Sequence, residues 1–539
     1  MKQLAMAACL ASLCCAGGWS QAPENGSKCV ALAKVSLPHT AITKAEITAP
    51  GSFVPPKSPD SPNSPPDPVF AKLPAFCHVA ALATPSSDSS IPIEVWLPVT
   101  GWNGRFLGVG NGGFAGSIAY DNLAVDLLRG YATAATDTGH QASGIDASWA
   151  LGHPEKIADF GWRAIHEMTL TGEALTEAFY GHGAAHRYFA SCSDGGREAL
   201  MEAQRFPSDY DGILAGAPAY HWTHLLSGAL YAAQALEGKP ESYIPTAKLA
   251  AIHDAVLAQC GDKHDGFVED PRQCRFDPSV LLCRTRNKES CLTSPQLIAL
   301  RALYAGPRTR NGTPVNPGET PGAELSDGGW EPWITGSRPK SSALWGFATG
   351  YFDSMVYDKA GLDILTLDPD AAFDLAVRKT ASDLDAANPD LSAFDAHGGK
   401  LILYHGWNDP AIPATGTIDY YNQVLETLGD AKTESFARLF LVPGMQHCDG
   451  GPGITNFGQG GPSQEAGKDG AENNIYRALE AWVENGRAPE KVNAAKELES
   501  KSKPGATITR PVCAYPKAAV YSGRGSRKSA ESYACKAKE

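Results

Sequence analysis

Short apolar runs alternate with amphipathic stretches from about residue 76 onward. "IPIEVWLP" (Ile91–Pro98), "RFLGVG" (Arg105–Gly110), "YATAATD" (Tyr131–Asp137) and "RYFASC" (Arg187–Cys192) each predict a strand, as do "DGILAG" (Asp211–Gly216), "KLILYHG" (Lys400–Gly406) and "ARLFLVPG" (Ala437–Gly444). Between them, "DFGWRAIHEMTLTGEALTEAFYG" (Asp159–Gly181) has helical spacing, and Ile475, Leu479, Trp482 and Val483 fall on one helical face. Apolar strands alternating with helices predict an α/β fold, with a mostly parallel sheet covered on both sides.

Residues 219–396 break this rhythm. They hold four cysteines, several Gly/Pro turns and an aromatic cluster of Trp330, Trp333, Trp345, Phe347, Tyr351, Phe352 and Tyr357. We read them as an inserted lid domain between two parts of one core, 76–218 and 397–539. Residues 23–75 are expected to be an extended segment, because 50–68 are rich in Pro, Ser and Asp. No internal repeat is visible.

Composition narrows the classes. The chain has 539 residues, 43% of them hydrophobic, enough for a substantial core. A formal charge of −13 leaves no basic patch to meet phosphates, which argues against nucleic acid as the main partner. At the N-terminus, Lys2 precedes an apolar run from Leu4 to Gly17 that is too short to span a bilayer, followed by small residues. This predicts a signal peptide over 1–22, cleaved near Ser20 or Ala22, and a secreted or periplasmic protein with no membrane anchor after removal of the signal. Cleavage would remove Cys9, Cys14 and Cys15 and leave ten cysteines, an even number that suits disulfides in an oxidising compartment. Spacing favours Cys29 with Cys77, Cys260 with Cys274, Cys283 with Cys291 and Cys513 with Cys535. That leaves Cys192 and Cys448 to each other, although sequence alone does not fix connectivity.

The candidate chemistry lies at the ends of the predicted strands. "SCSDG" (Ser191–Gly195) follows a strand and opens a helix, as the nucleophile turn G-x-S-x-G does, with serine in place of the first glycine. Ser193 is then the nucleophile. Asp409 in "YHGWNDPAIP" and His447 in "VPGMQHC" each follow a later strand, in the order nucleophile, acid, histidine. His447 would take the proton of Ser193, and Asp409 would hold the imidazole. The backbone N–H of Asp194 and that of Gly112 in "GNGGFAG" are candidates for the oxyanion hole. His140 and His405 also lie near strand ends and are taken as structural. Asp137 precedes the nucleophile and has the wrong chain order for the acid. If Ser193 and His447 are in contact, the cysteines beside them lie within disulfide reach.

The stretches "CS-DGG" at 192–196, "HGWND" at 405–409 and "HC" at 447–448 resemble the tannase and feruloyl esterase family, which also includes a hydrolase of terephthalate half-esters. The similarity runs through about residues 76–515, including "FPSDYDGILAGAPA" (Phe206–Ala219). The resemblance implies an α/β-hydrolase core with a large inserted lid, a Ser193–Asp409–His447 triad, a disulfide between Cys192 and Cys448, and a lid over an aromatic acyl pocket. It also implies a structural calcium ion in a disulfide-closed loop of the lid. Here that loop is "CGDKHDGFVEDPRQC" (Cys260–Cys274), about three residues shorter than the family pattern, with Asp262, Asp265, the Phe267 carbonyl and Glu269 as the expected ligands. Where many relatives carry an Arg–aromatic pair in the lid, this chain has Asp353–Ser354, which disfavours a substrate with a distal carboxylate unless Arg338 stands in. The expected partner is a small aromatic ester, galloyl, feruloyl or related. Competing readings are a terephthalate half-ester hydrolase, a peptidase or acyltransferase on the same fold, and a non-catalytic binding protein that kept the fold.

Overall fold

The apolar runs assemble into one nine-stranded sheet in the order β1-β2-β3-β5-β4-β6-β7-β8-β9. The strands are β1 (Thr40–Thr48), β2 (Phe76–Ala83), β3 (Ile91–Pro98), β4 (Arg105–Val109), β5 (Ala132–Thr136), β6 (His186–Cys192), β7 (Gly212–Gly216), β8 (Lys400–Gly406) and β9 (Ala437–Val442). The computed structural model describes residues 21–537 apart from 285, 287, 326–327, 461–469 and 498–506. From β5 to β9 the neighbours are parallel. β1, β2 and β3 form an antiparallel extension joined to β5. This is an α/β-hydrolase fold. The middle strands β5 and β7 are buried along their whole length, which explains why they read as unbroken apolar runs.

The strand order determines where a site can form. From β4 the chain moves to β5 on one side, then returns to β6 on the other. The loops leaving β4 and β6 therefore diverge at their carboxyl ends and open a crevice between them. Both the glycine-rich stretch and Ser193 lie there.

Between β7 and β8 the described residues form helices and loops with no named strand, the longer helices being Trp222–Glu237, Leu249–Cys260, Ser294–Ala305 and Pro369–Leu384. One cluster in this region packs on itself around Leu236, Ile252, Leu300 and Trp330. Another joins Trp222, Leu226, Tyr351 and Phe352 to Phe114 of the loop after β4 and Phe160 of the helical turn Asp159–Arg163. The insert is thus rooted in the core. After the helix Ile475–Asn485, which buries Ile475, Leu479 and Trp482, come two hairpins: β10 (Lys491–Glu497) with β11 (Thr507–Cys513), and β12 (Lys517–Tyr521) with β13 (Tyr533–Ala537).

The N-terminal region departs from expectation. Residues 23–75 are not extended throughout: helix Gln21–Ala31 and strand β1 precede the Pro-rich stretch. β1 mixes polar and apolar positions, shifts register between Ile42 and Lys44, and among the described strands pairs with β2 alone, as an edge strand does. The Cys29–Cys77 bond ties this helix to β2. The expected signal segment lies outside the described residues except for Gln21 and Ala22, which open the helix. Among the described residues, no helix is long and apolar enough to cross a membrane.

Candidate active site

Ser193 is the single residue between β6 and the helix Asp194–Arg205. Its φ of 68° and ψ of −124° are a strained conformation for a residue with a side chain. The surrounding backbone holds it there. Ser193 N–H donates to the Gly216 carbonyl (2.9 Å), and the Ser193 carbonyl accepts from Gly196 (3.0 Å) and Ala219 (3.1 Å). The tightness of the turn explains its composition. A Cβ on Gly195 would collide with Ser191 Oγ, and one on Gly196 with the Gly216 carbonyl. Serine fits at 191 because glycine stands at 195.

Ser193 Oγ lies 2.9 Å from His447 Nε2, and His447 Nδ1 lies 2.9 Å from Asp409 Oδ2. Asp409 sits on the loop after β8 and is fully buried. Its Oδ1 accepts the N–H groups of Ala411 (2.8 Å) and Ile412 (3.0 Å). Its Oδ2 also faces His405 Nε2 at 3.1 Å. Burial pushes the Asp409 carboxyl pKa up, but the charge of His447 and the hydrogen bonds from both histidines outweigh it. The group stays well below the usual carboxylate range. The His405 tautomer follows from its partners. Nε2 faces two acceptors, Asp409 and the Ile412 carbonyl (2.9 Å), so it carries the proton, and Nδ1 accepts from Thr417 Oγ1 (2.8 Å).

Cys192 and Cys448 form a disulfide with a Cα separation of 6.0 Å, linking the residue before the serine to the residue after the histidine. The other eight cysteines among the described residues pair as Cys29–Cys77, Cys260–Cys274, Cys283–Cys291 and Cys513–Cys535.

The glycine-rich loop is pinned to the helix Asp194–Arg205. Asn111 N–H donates to Glu198 Oε2 (2.8 Å), and the Asn111 carbonyl accepts Gly195 N–H (2.9 Å). Because the peptide is trans, the Gly112 N–H points opposite to that carbonyl. Neither it nor the Asp194 N–H donates to a protein acceptor among the described residues. Asp194 turns its side chain inward, where the buried Arg197 binds it (2.6 Å) while also donating to the carbonyls of Gly161 (2.6 Å) and Phe160 (3.1 Å).

The insert between β7 and β8 reaches this site through Trp333, whose ring meets His447 edge-on at 4.9 Å. Of the other lid aromatics, Trp330, Tyr351 and Phe352 are buried as core, while Phe347 is partly buried and packs on Phe114 at 5.2 Å. Asp353 spends its carboxylate on the N–H groups of Gly361 (2.7 Å) and Leu362 (3.2 Å), and Arg338 is exposed. Asp137 and His140 lie outside the serine–histidine line. Asp137 accepts Gly139 N–H (2.8 Å), and His140 stacks on Trp149 (3.7 Å) with Nε2 at the Phe114 carbonyl (2.8 Å).

One carboxylate oxygen each from Asp262, Asp265 and Glu269 gather within 4.8 Å of one another. The Phe267 carbonyl, the fourth expected ligand, accepts Asp262 N–H at 3.0 Å.

The family model for tannase and feruloyl esterase matches residues 77–536. The chain belongs to that family. An uncharacterized esterase of Xanthomonas campestris is 42% identical over 554 residues, covering 98% of this chain and 94% of its own. A probable feruloyl esterase B-2 of Aspergillus flavus is 34% identical over 452 residues, covering 81% and 83%. The crystal structure of feruloyl esterase B from Aspergillus oryzae superposes with a TM-score of 0.83 at 30% identity, over 95% of this chain and 100% of that one. As a tannase and feruloyl esterase family member, the protein is a carboxylic ester hydrolase.

Three residues at this family site escape motif reading. His405 sits four positions before Asp409 in "HGWND", and that spacing is the signal that pairs them. Glu198 lies one helical turn after Asp194, an acidic residue buried like the rest of its helix from Asp194 to Ala203. Trp333 stands out in the sequence only as one aromatic among many.

Proposed function

We propose that this protein is a secreted serine esterase that cleaves aromatic esters, of the hydroxycinnamoyl or hydroxybenzoyl type, through an acyl-enzyme. The observation that carries the reading is the hydrogen-bonded line from Ser193 Oγ through His447 to Asp409, at 2.9 Å on both sides. Ser193 attacks the ester carbonyl while His447 Nε2 takes its proton and then returns it to the leaving alcohol. The free N–H groups of Asp194 and Gly112 receive the oxyanion. Asp409, kept ionised, stabilises the imidazolium. Water repeats the sequence on the acyl-enzyme. Trp333 and Phe347 offer flat surfaces for an acyl ring, and the relatives named for feruloyl esters support an aromatic acid. The five disulfides among the described residues suit an oxidising compartment outside the cytoplasm.

The test compares kcat/KM for methyl ferulate, methyl gallate and a terephthalate half-ester, alongside Ser193→Ala. One of the first two is expected to lead the panel, and the variant to lose about 10⁴-fold or more. A burst of phenol from an activated aryl ester should accompany acylation in the wild type. Equal inertness of wild type and variant would leave a binding protein. Preference for the half-ester would move the assignment to terephthalate chemistry.

A further inference from the structure

The loop Cys260–Cys274 brings three acidic side chains together, and the resemblance expects a calcium ion among them. The donors present do not fit one. Asp265 gives both carboxylate oxygens to Arg510: Nη1 to Oδ2 at 3.0 Å and Nη2 to Oδ1 at 3.0 Å. Glu269 Oε1 lies 3.9 Å from Arg510 Nη1. Asp262 Oδ1 accepts the N–H groups of His264 (2.7 Å) and Asp265 (3.0 Å). The Phe267 carbonyl is used by Asp262 N–H. A divalent ion drawing on these oxygens would have to displace a fork-shaped guanidinium that is itself held, since Arg510 is only 8% exposed and stacks on the Tyr533 ring at 4.2 Å.

We propose that Arg510 takes the place of a divalent cation in this loop, so that the junction between the lid and the C-terminal hairpins is closed by a positive charge of the chain itself. The two sides are well anchored. Asp265 lies in a loop closed by Cys260–Cys274, while Arg510 lies on β11, which ends at Cys513, bonded to Cys535. The clamp bears on the site. Phe267 is buried and packs against Gly444, on the loop that carries His447. Val268 is buried beside Gly322, whose carbonyl holds Asn408, the neighbour of Asp409. Arg510 therefore supports both loops that present the histidine and the acid.

The experiment is thermal unfolding of the full chain in excess chelator and in millimolar calcium chloride, with elemental analysis of the purified protein. The wild type should melt at the same temperature in both, and should carry far less than one calcium per chain. Arg510→Ala should melt lower in chelator and recover by several degrees in calcium, because the freed carboxylates then have room for the ion. Asp265→Asn should melt lower in both alike. If Arg510→Ala does not fold, Arg510→Lys serves in its place. It keeps a charge but loses the fork, and should melt between wild type and Asp265→Asn. A wild type that calcium stabilises, or that purifies with one bound ion per chain, overturns the proposal. So does an Arg510→Ala protein that melts like wild type or that calcium leaves unchanged.

Discussion

His405 and His447 converge on one atom, Asp409 Oδ2, at 3.1 and 2.9 Å. One histidine faces the serine, while the other is wholly buried and anchored by Thr417. On the proposed mechanism His405 is a positioning residue: it supplies Asp409 with a donor that the reaction does not consume. His405→Leu should lower kcat by about 10–100-fold, the worth of one hydrogen bond to a charged group, with KM little changed. Asp409 also loses one of the groups that hold its carboxyl pKa down, so acid inactivation through protonation of that carboxyl should set in at higher pH in the variant's pH–rate profile. An unmoved profile would reduce His405 to packing.

Removing both cysteines of the active-site disulfide, as Cys192→Ala with Cys448→Ala, frees two loops that are remote in sequence. The entropic cost to stability is up to roughly 5 kcal/mol for so long a closed loop. Activity should fall about 100-fold in molecules that still unfold cooperatively, since misplacing the base by about 1 Å has that effect. Wild-type turnover in the folded variant would show that hydrogen bonding alone aligns serine and histidine.

Gly195→Ala places a methyl group against the Ser191 side chain and the Asn111 carbonyl. The turn must shift, and kcat/KM should drop by about 100-fold or more. Adding Ser191→Gly clears the first of these obstructions and should recover part of the loss. Kinetics of the single and double variants decide it, and a fully active Gly195→Ala would contradict the account of the turn.

Burial pulls the His140 pKa down from 6.5 to about 4. Its folded pKa lies below its unfolded one, so the unfolded chain binds the proton more readily in between. The stability it contributes is present above about pH 6.5 and lost as pH falls toward about 4. His221, pulled down to about 3 by burial and by His224, acts in the same direction. The stability difference between wild type and His140→Gln should therefore narrow on acidification, measured by denaturant unfolding at neutral pH and near about pH 5. A difference independent of pH would mean that His140 does not change its protonation on unfolding.

The strands that lead to Ser193, Asp409 and His447 were legible because their middle residues are buried on both faces and they end in turn residues. β3 and β8 coincide with their apolar runs, and β6 begins one residue earlier than expected. β1 was not legible, because an exposed edge strand has no apolar run to betray it. Ser193, Asp409 and His447 could be placed from strand ends and chain order, two signals that survive without contacts. The four-residue spacing to Asp409 was the one local sign of the role of His405, because its other partners, Thr417 and the Ile412 carbonyl, come from the next helix and loop. Arg510 could not be found at all. It lies 245 residues from Asp265, and no local pattern announces a pairing across that distance.

The Cys192–Cys448 bond spans 256 positions, from the end of β6 to the loop after β9. The whole lid and the acid lie within that span, so the backbone and this bond form a covalent ring. A protease nick anywhere in the lid would leave the molecule in one piece. The cut protein would migrate as fragments only after reduction, and the serine would keep its histidine.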